Sequence, residues 1–274
     1  MIETYYGIKT IKHAFHTNEK FINPICVIGM PGIADVGKFA LDSLIGQLKA
    51  KLCLEIIFDE YPAGAIVDES ILAAPKAEIL LYKDPDELRD IFLITADAQS
   101  LSPKGIYKIS NFLTEKLAEF GVKLVIALGA FPVSSQNINS KIPKIYVTST
   151  NPELLQNFLI DNNCLKIKKG VIIGANGLIP VVAKARYNID GLVFLGETDN
   201  IAMINEDITD LRASITLLDM IKKSFDLPIN NKYSLENIED ITKNLQNKKE
   251  QLEKDLDTFK FVDNADDKRK SLYI

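Results

Sequence analysis

Residues Pro24 to Leu48, reading P-I-C-V-I-G-M-P-G-I-A-D-V-G-K-F-A-L-D-S-L-I-G-Q-L, constrain the fold of this chain more than any other stretch. The residues up to Ile28 form a short apolar run with β-branched members, the pattern of a buried strand. Gly29, Pro31, Gly32 and Gly37 then make a tight turn. After it Leu41, Leu44, Ile45 and Leu48 recur at helical spacing, with Asp42, Ser43 and Gln47 off that face. A strand, a glycine turn and a helix in that order open a parallel α/β sheet.

The stretch from Gly32 to Lys38 has the glycine and lysine spacing of a phosphate-binding P-loop. The match fails at Phe39, where a P-loop places a Ser or Thr hydroxyl on magnesium. Asp35 sets a carboxylate where phosphate oxygens belong, and Pro31 removes a backbone N–H near the mouth of the turn. The favoured reading is a turn whose glycines let a strand feed a closely packed helix.

The same alternation continues along the chain. Apolar runs at Leu54–Phe58, Ala65–Val67 and Glu78–Tyr82 read as strands, two of them forming a hairpin at the sheet edge. Ile91–Thr95 is a buried strand, and Ser102-Pro103 starts a helix with a capping serine and a first-turn proline. Ile106, Ile109, Leu113, Leu117 and Phe120 form its apolar stripe, Gly121 closes it, and Val122–Leu128 is the next strand, a βαβ unit with an expected right-handed crossover. Lys144–Thr148 leads into a helix opened by Asn151-Pro152-Glu153. Gly170–Gly174 and Gly191–Gly196 read as two more strands around a helix from Gly177 to Tyr187. An amphipathic helix from about Thr209 to Phe225, with Leu211, Ile215, Leu218 and Phe225 on one face, completes the body. The expected fold class is α/β, a mostly parallel sheet flanked by helices.

Four of the expected strands end in glycine, at Gly29, Gly129, Gly174 and Gly196. In a parallel sheet these glycines gather at the carboxyl edge, where open α/β sheets hold ligands, with Asp97, Asn176 and Glu197 close by. The competing reading is that tight strand-to-helix turns need glycine in any case. Asp59, Glu60, Asp68 and Glu69 are paired carboxylates fit for acid and base roles, but no histidine or nucleophile stands near them in sequence, and solvated strand ends are the expectation.

Composition narrows the partners. The 274 residues carry a net charge of −5, and the arginines are only Arg89, Arg186, Arg212 and Arg269, so no basic stripe is available to grip nucleic acid. No apolar run reaches the roughly 18 residues of a membrane helix, and Met1-Ile-Glu-Thr-Tyr-Tyr lacks the layout of a signal peptide, so the expectation is a cytoplasmic protein with no membrane partner. Cys26, Cys53 and Cys164 are far apart and lack metal-site spacing, and they read as small buried groups. His13 and His16 stand in a polar segment without further ligands beside them, so no metal is expected.

Several segments resemble the proteasome assembly chaperone 2 family in its archaeal branch: Gly29-Met-Pro-Gly-Ile-Ala-Asp-Val-Gly-Lys38, Asp90 to Gln99, Phe120 to Ala130, Gly174-Ala-Asn-Gly-Leu178 and Gly191 to Thr198. Ala96 departs from the pattern, standing where a glycine before the acid is common. The resemblance implies a nucleoside-phosphorylase-like α/β architecture used as a non-enzymatic scaffold without cofactor, forming homo-oligomers that associate with the proteasome.

Beyond Pro228 the composition turns to Asn, Lys, Asp and Glu. Ile238, Ile241, Leu245, Leu252, Leu256 and Phe259 recur at near-heptad spacing and predict an exposed helix. The expected organisation is a scaffold domain over 1–228, an amphipathic helix over 229–262 and a flexible tail over 263–274. The tail finishes in Leu272-Tyr273-Ile274, an apolar residue, a tyrosine and a final residue. This hydrophobic-Tyr-X (HbYX) ending is the pattern by which proteasome activators insert tails between α subunits of the 20S core particle. The sequence therefore points to a proteasome-binding protein, an assembly chaperone or an ATP-independent activator. A small-molecule enzyme or sensor at the carboxyl edge is the alternative. An ATP-driven P-loop protein is a third class, and the broken motif speaks against it.

Overall fold

The computed structural model describes residues 2–5, 7–13, 20–68, 70–134, 142–161, 164–200 and 209–229. The chain opens on two short strands, β1 (Ile2–Tyr5) and β2 (Ile8–Lys12), and continues into β3 (Ile25–Gly29), buried along its whole length. A 3-10 turn at Ile33–Asp35 leads to α1 (Val36–Leu48) and then β4 (Lys51–Phe58). The hairpin of β5 (Ile66–Asp68) and β6 (Ile71–Ala73) precedes β7 (Lys76–Tyr82) and β8 (Ile91–Ala96). The second half is α2 (Pro103–Glu119), β9 (Leu124–Val133), β10 (Ile145–Ser149), α3 (Pro152–Asp161), β11 (Leu165–Lys166), α4 (Ala175–Tyr187), β12 (Asp190–Asp199) and α5 (Leu211–Phe225).

The helix starts follow local chemistry. The Ser102 hydroxyl accepts the Gly105 N–H at 2.9 Å, with Pro103 in the first turn of α2. The Asn151 side chain accepts the N–H groups of Glu153 and Leu154 at 3.0 and 3.2 Å, and Asp210 accepts that of Ala213 at 3.0 Å. Each satisfies an amide that the first helical turn leaves without a partner.

The strands form one sheet in the order β1-β2-β4-β7-β8-β3-β9-β12-β10-β11, with β5 and β6 apart as a two-stranded sheet. The expected parallel arrangement occupies the centre, β8-β3-β9-β12, while β4, β7 and β8 on one side and β10 and β12 on the other pair antiparallel. Successive residues of the central strands enter opposite cores. Ile25, Val27, Ile91 and Leu93 join α1, α3 and α5 on one face, while Cys26, Ile28, Phe92 and Ile94 join α2 and α4 on the other. A strand covered on both faces has no polar side, which is why these segments read as continuous apolar runs. Cys26 and Cys53 are buried, and burial pushes the Cys26 thiol well up.

Residues 1–23 hold the β1–β2 hairpin at the sheet edge, with β2 pairing onward to β4. Three expectations need correction. The expected edge hairpin is displaced: β5–β6 forms its own small sheet, and β4 and β7 pair inside the main one. Gly170–Gly174 is not a strand, since Val171 and Ile173 are 88% and 87% exposed and only Ile172 turns inward, onto Ala127, Val193 and Leu195. Gly129 and Gly196 do not end their strands, because β9 and β12 pair onward to Val133 and Asp199. Residues 230–274, which include most of the expected 229–262 helix and all of the 263–274 tail with Leu272, Tyr273 and Ile274, lie outside the described residues, as do His16 and Glu69.

Candidate functional site

The candidate residues are spread over several of the central strands toward their carboxyl ends, and the glycine turn follows β3. A Cβ on Gly29 would stand 2.4 Å from the Gly37 carbonyl oxygen, and one on Gly37 would stand 2.2 Å from that of Leu128. Both glycines therefore let α1 lie directly on the backbone of β3 and β9. Between them Ala34 and Asp35 take left-handed conformations, φ 50° and 44°, which cost a non-glycine residue of order 1 kcal/mol each. The Ala34 carbonyl accepts the Asp210 N–H at 3.0 Å, joining the bend to the start of α5.

Lys38 does not face an open phosphate site. Its Nζ donates to Asp42 Oδ2 at 3.0 Å and to Thr95 Oγ1 at 3.2 Å, tying α1 to the end of β8.

The backbone of the turn is held by two side-chain amides. Asn176, buried near the start of α4, accepts the Met30 N–H through Oδ1 at 3.0 Å and donates through Nδ2 to the Met30 carbonyl at 3.2 Å. Gln99 donates through Nε2 to the Pro31 carbonyl and accepts the Ala175 N–H through Oε1 at 2.8 Å. Gly174, at φ 92°, precedes α4, and a Cβ there would meet the Gln99 side chain. The sequence reading missed Gln99. Its signal was a long carboxamide standing just past a buried strand.

Asp97 and Glu197 serve neighbouring strands instead of the turn. Exposed Asp97 accepts the Lys76 N–H at 3.0 Å and so caps the start of β7. Buried Glu197 accepts the Lys144 N–H at 3.2 Å beside the start of β10. Asp97 follows β8 and Glu197 lies on β12, so three strand spacings of about 4.8 Å, roughly 14 Å, part them. Gly129 pairs with Leu195 inside the sheet. The structure thus brings Gly29 and Asn176 together and leaves Asp97, Gly129 and Glu197 on separate strands.

Two further clusters are structural in geometry. Glu60 accepts from Ser102 Oγ at 3.1 Å and from Lys108 at 3.3 Å, fastening the end of β4 to α2. Desolvation pushes the Glu60 carboxyl up, but these donors prevail and hold it below the usual carboxylate range. Glu55 contacts His13 at 2.6 Å and Lys76 at 2.5 Å, and Lys76 reaches Glu78 at 2.7 Å. Glu55 and Glu78 are directly opposed across β4 and β7, so the bridging Lys76 relieves a repulsion that the register imposes. The Lys76 hydrogen bond leads in holding the Glu55 carboxyl down. Among the described residues no His, Cys, Asp or Glu side chains group as a metal site, and no helix is long and apolar enough to cross a membrane.

Comparison with known proteins bears on the fold and the family. The crystal structure of Pyrococcus furiosus PbaB, described as an archaeal proteasome activator, is similar with a TM-score of 0.76 and 23% identity over 91% of this chain and 100% of that one. That of Pyrococcus furiosus PbaA, described as an archaeal homolog of proteasome-assembly chaperone, gives a TM-score of 0.67 and 20% identity over 93% and 97%. A Methanocaldococcus jannaschii protein described as uncharacterized is 26% identical over 194 residues, 70% of this chain and 72% of its own length. The model of the PAC2 family matches residues 26–252, and the chain belongs to that family.

Proposed function

We propose that this chain is a non-enzymatic, cytoplasmic proteasome-binding protein, an assembly chaperone or ATP-independent activator, whose self-associated α/β bodies present C-terminal tails to the α subunits of the 20S core particle. The observation that carries the reading is the pairing of a PbaB-like fold with the residues Leu272-Tyr273-Ile274. In this reading Leu272 and Tyr273 fill apolar surface, the tyrosine contributing large area with few rotamers to freeze. The carboxylate on Ile274 pairs with a basic group in the pocket. Each contact is weak. Several tails on one oligomer engage together, and linkage of this kind raises overall affinity by about 10² to 10⁴ without new contacts.

The small-molecule reading draws no support from the site, where Lys38, Gln99 and Asn176 are bonded to the protein itself.

The test is binding to purified core particles with and without residues 272–274. Deletion is expected to abolish binding and leave the oligomer intact, and Tyr273→Ala to reproduce most of the loss. Unchanged binding by the deleted chain refutes the tail assignment.

A further inference from the structure

Asn176-Gly177 is the only Asn-Gly pair in the 274 residues, and every other asparagine is followed by a residue with a side chain. It is also the asparagine that holds the turn after β3. An Asn-Gly pair is the one most prone to lose its side-chain amide, because a glycine without a Cβ lets its backbone nitrogen swing onto the neighbouring carboxamide.

The fold fixes both members of the pair, for separate reasons. Residue 176 accepts the Met30 N–H through Oδ1 at 3.0 Å and donates through Nδ2 to the Met30 carbonyl at 3.2 Å. An ionised carboxylate only accepts, and an alkyl side chain does neither. At residue 177 a Cβ would stand 2.6 Å from the Ile172 carbonyl oxygen and 2.7 and 2.9 Å from the Cγ2 and Cβ of that side chain. A hydrogen-bonding requirement and a packing requirement thus meet in the dipeptide least able to last.

The folded chain withholds each movement the reaction needs. Ring closure requires the Gly177 nitrogen to lose its proton and approach Asn176 Cγ. That N–H donates to the Gly174 carbonyl at 3.2 Å, in the first turn of α4. The carboxamide is held on both sides by Met30, 146 positions away, and Asn176 is only 8% exposed. Both groups are released only when the start of α4 lifts from the β3 turn, a local opening.

We propose that Asn176 is a covalent ageing site of this chain, silent while the chain is folded and converted to aspartate or isoaspartate when the start of α4 opens. Water is the only co-reactant. The Gly177 nitrogen gives its proton to a base in solution and bonds to Cγ, the Cγ–Nδ2 bond breaks, and Nδ2 takes a proton and leaves as ammonia. Water then opens the cyclic imide, at Cγ to give aspartate or at the main-chain carbonyl carbon of residue 176 to give isoaspartate. Neither product restores the contact. The aspartate accepts the Met30 N–H but sets its other oxygen against the Met30 carbonyl, and the isoaspartate adds a methylene to the backbone where α4 begins. The inference is independent of the proteasome-binding reading and of the C-terminal tail.

The experiment follows the full chain at mildly alkaline pH, once in buffer and once in guanidinium chloride, by mass spectrometry of its proteolytic peptides. In guanidinium chloride the peptide carrying residue 176 is expected to show the amide-to-acid mass change before any other asparagine peptide. In buffer the same peptide should convert about 100-fold more slowly, because ring closure draws only on the opened fraction. Asp190-Gly191 can close the same ring, but it loses and regains water and so returns to its original mass. Converted chains, returned to buffer, should unfold with an equilibrium constant raised about 30-fold or more. Asn176→Asp, made directly, should match the aspartate fraction, whether both refold with a lowered melting temperature or both fail to refold.

Equal rates in the folded and unfolded chains overturn the protection. A different asparagine converting first in guanidinium chloride overturns the site. Converted chains that refold with the melting curve of unreacted ones overturn the consequence.

Discussion

The tight seat of α1 on the sheet can be tested by one substitution made twice in the same helix. Gly37 and Gly46 both lie within α1, and replacing either by alanine changes the same atoms. At residue 46 a Cβ meets nothing within 4 Å, whereas at residue 37 it would lie 2.2 Å from the Leu128 carbonyl oxygen, 2.6 Å from its carbon and 3.0 Å from the Gly129 nitrogen. Ordinary contact begins near 3.4 Å, so the helix must retreat from β9 by about 1.2 Å. A gap of 0.5–1 Å already forfeits about a quarter to a half of the dispersion attraction along a contact. The side chains drawn back with it include Val36, Ala40, Leu41 and Leu44, all essentially fully buried.

Overpacking typically costs about 1–3 kcal/mol. Here the obstacle is buried strand backbone, which no side-chain rotation relieves, so the strain falls higher, near 4 kcal/mol. Alanine returns about 1 kcal/mol through its better helix propensity. The net loss for Gly37→Ala is about 3 kcal/mol, which lowers the melting temperature by about 6–12 °C for a chain of this size. Gly46→Ala meets no obstacle and keeps the propensity gain, so it should raise the melting temperature by about 2–4 °C. Thermal unfolding followed by circular dichroism reads both. A Gly37→Ala protein that melts within about 2 °C of wild type, or above it, refutes the claim that close backbone contact is what the glycine serves.

Asn176→Ala strips the buried Met30 N–H and carbonyl of their partners and is expected to cost about 2–4 kcal/mol in urea unfolding, and Asn176→Asp to cost similarly because a carboxylate then faces that carbonyl. Glu55 is held down chiefly by Lys76, so the stability it adds is present above its unfolded value of 4.5 and is lost as pH falls through the lower folded value. The gap between wild type and Glu55→Gln should thus be widest above pH 5 and close in more acidic solution; a gap that widens on acidification contradicts the assigned network. Lys38→Ala removes a helix-face ion pair and one hydrogen bond, a loss of about 1 kcal/mol or less, and ATP with magnesium is expected to leave the melting temperature of wild type unchanged.

The parts of this fold that sequence reading reaches are those written locally. The opening unit from Pro24 to Leu48, the capped starts of α2 and α3 and the stripe of α5 depend on residues a few positions apart. The antiparallel flanks do not: that β4 pairs with β7, or β10 with β12, is settled by which long-range partner covers which edge. Val171-Ile172-Ile173 shows the limit most clearly. A short β-branched run between glycines carries the signature of a strand whether or not a neighbour exists to pair with it. Of the candidate site, Gly29 and Asn176 are neighbours because an amide spans 146 positions of sequence to reach Met30, a bond that no local pattern announces.

The same contacts occupy the groups that a P-loop turns outward. A phosphate cradle needs backbone N–H groups pointing into open space, a lysine free to follow the ligand, and glycines that admit the ligand's oxygens. Here the Met30 N–H belongs to Asn176, the Lys38 ammonium lies between Asp42 and Thr95, and Gly37 admits the backbone of Leu128. Each of these uses rigidifies the junction of α1, α4 and the central strands. Loosening it through Asn176→Ala should speed amide hydrogen exchange in the turn between β3 and α1 as well as lower stability, even though residue 176 is itself buried. Exchange that stays slow in the turn while the melting temperature falls would mean that the turn keeps its shape without the Asn176 amide.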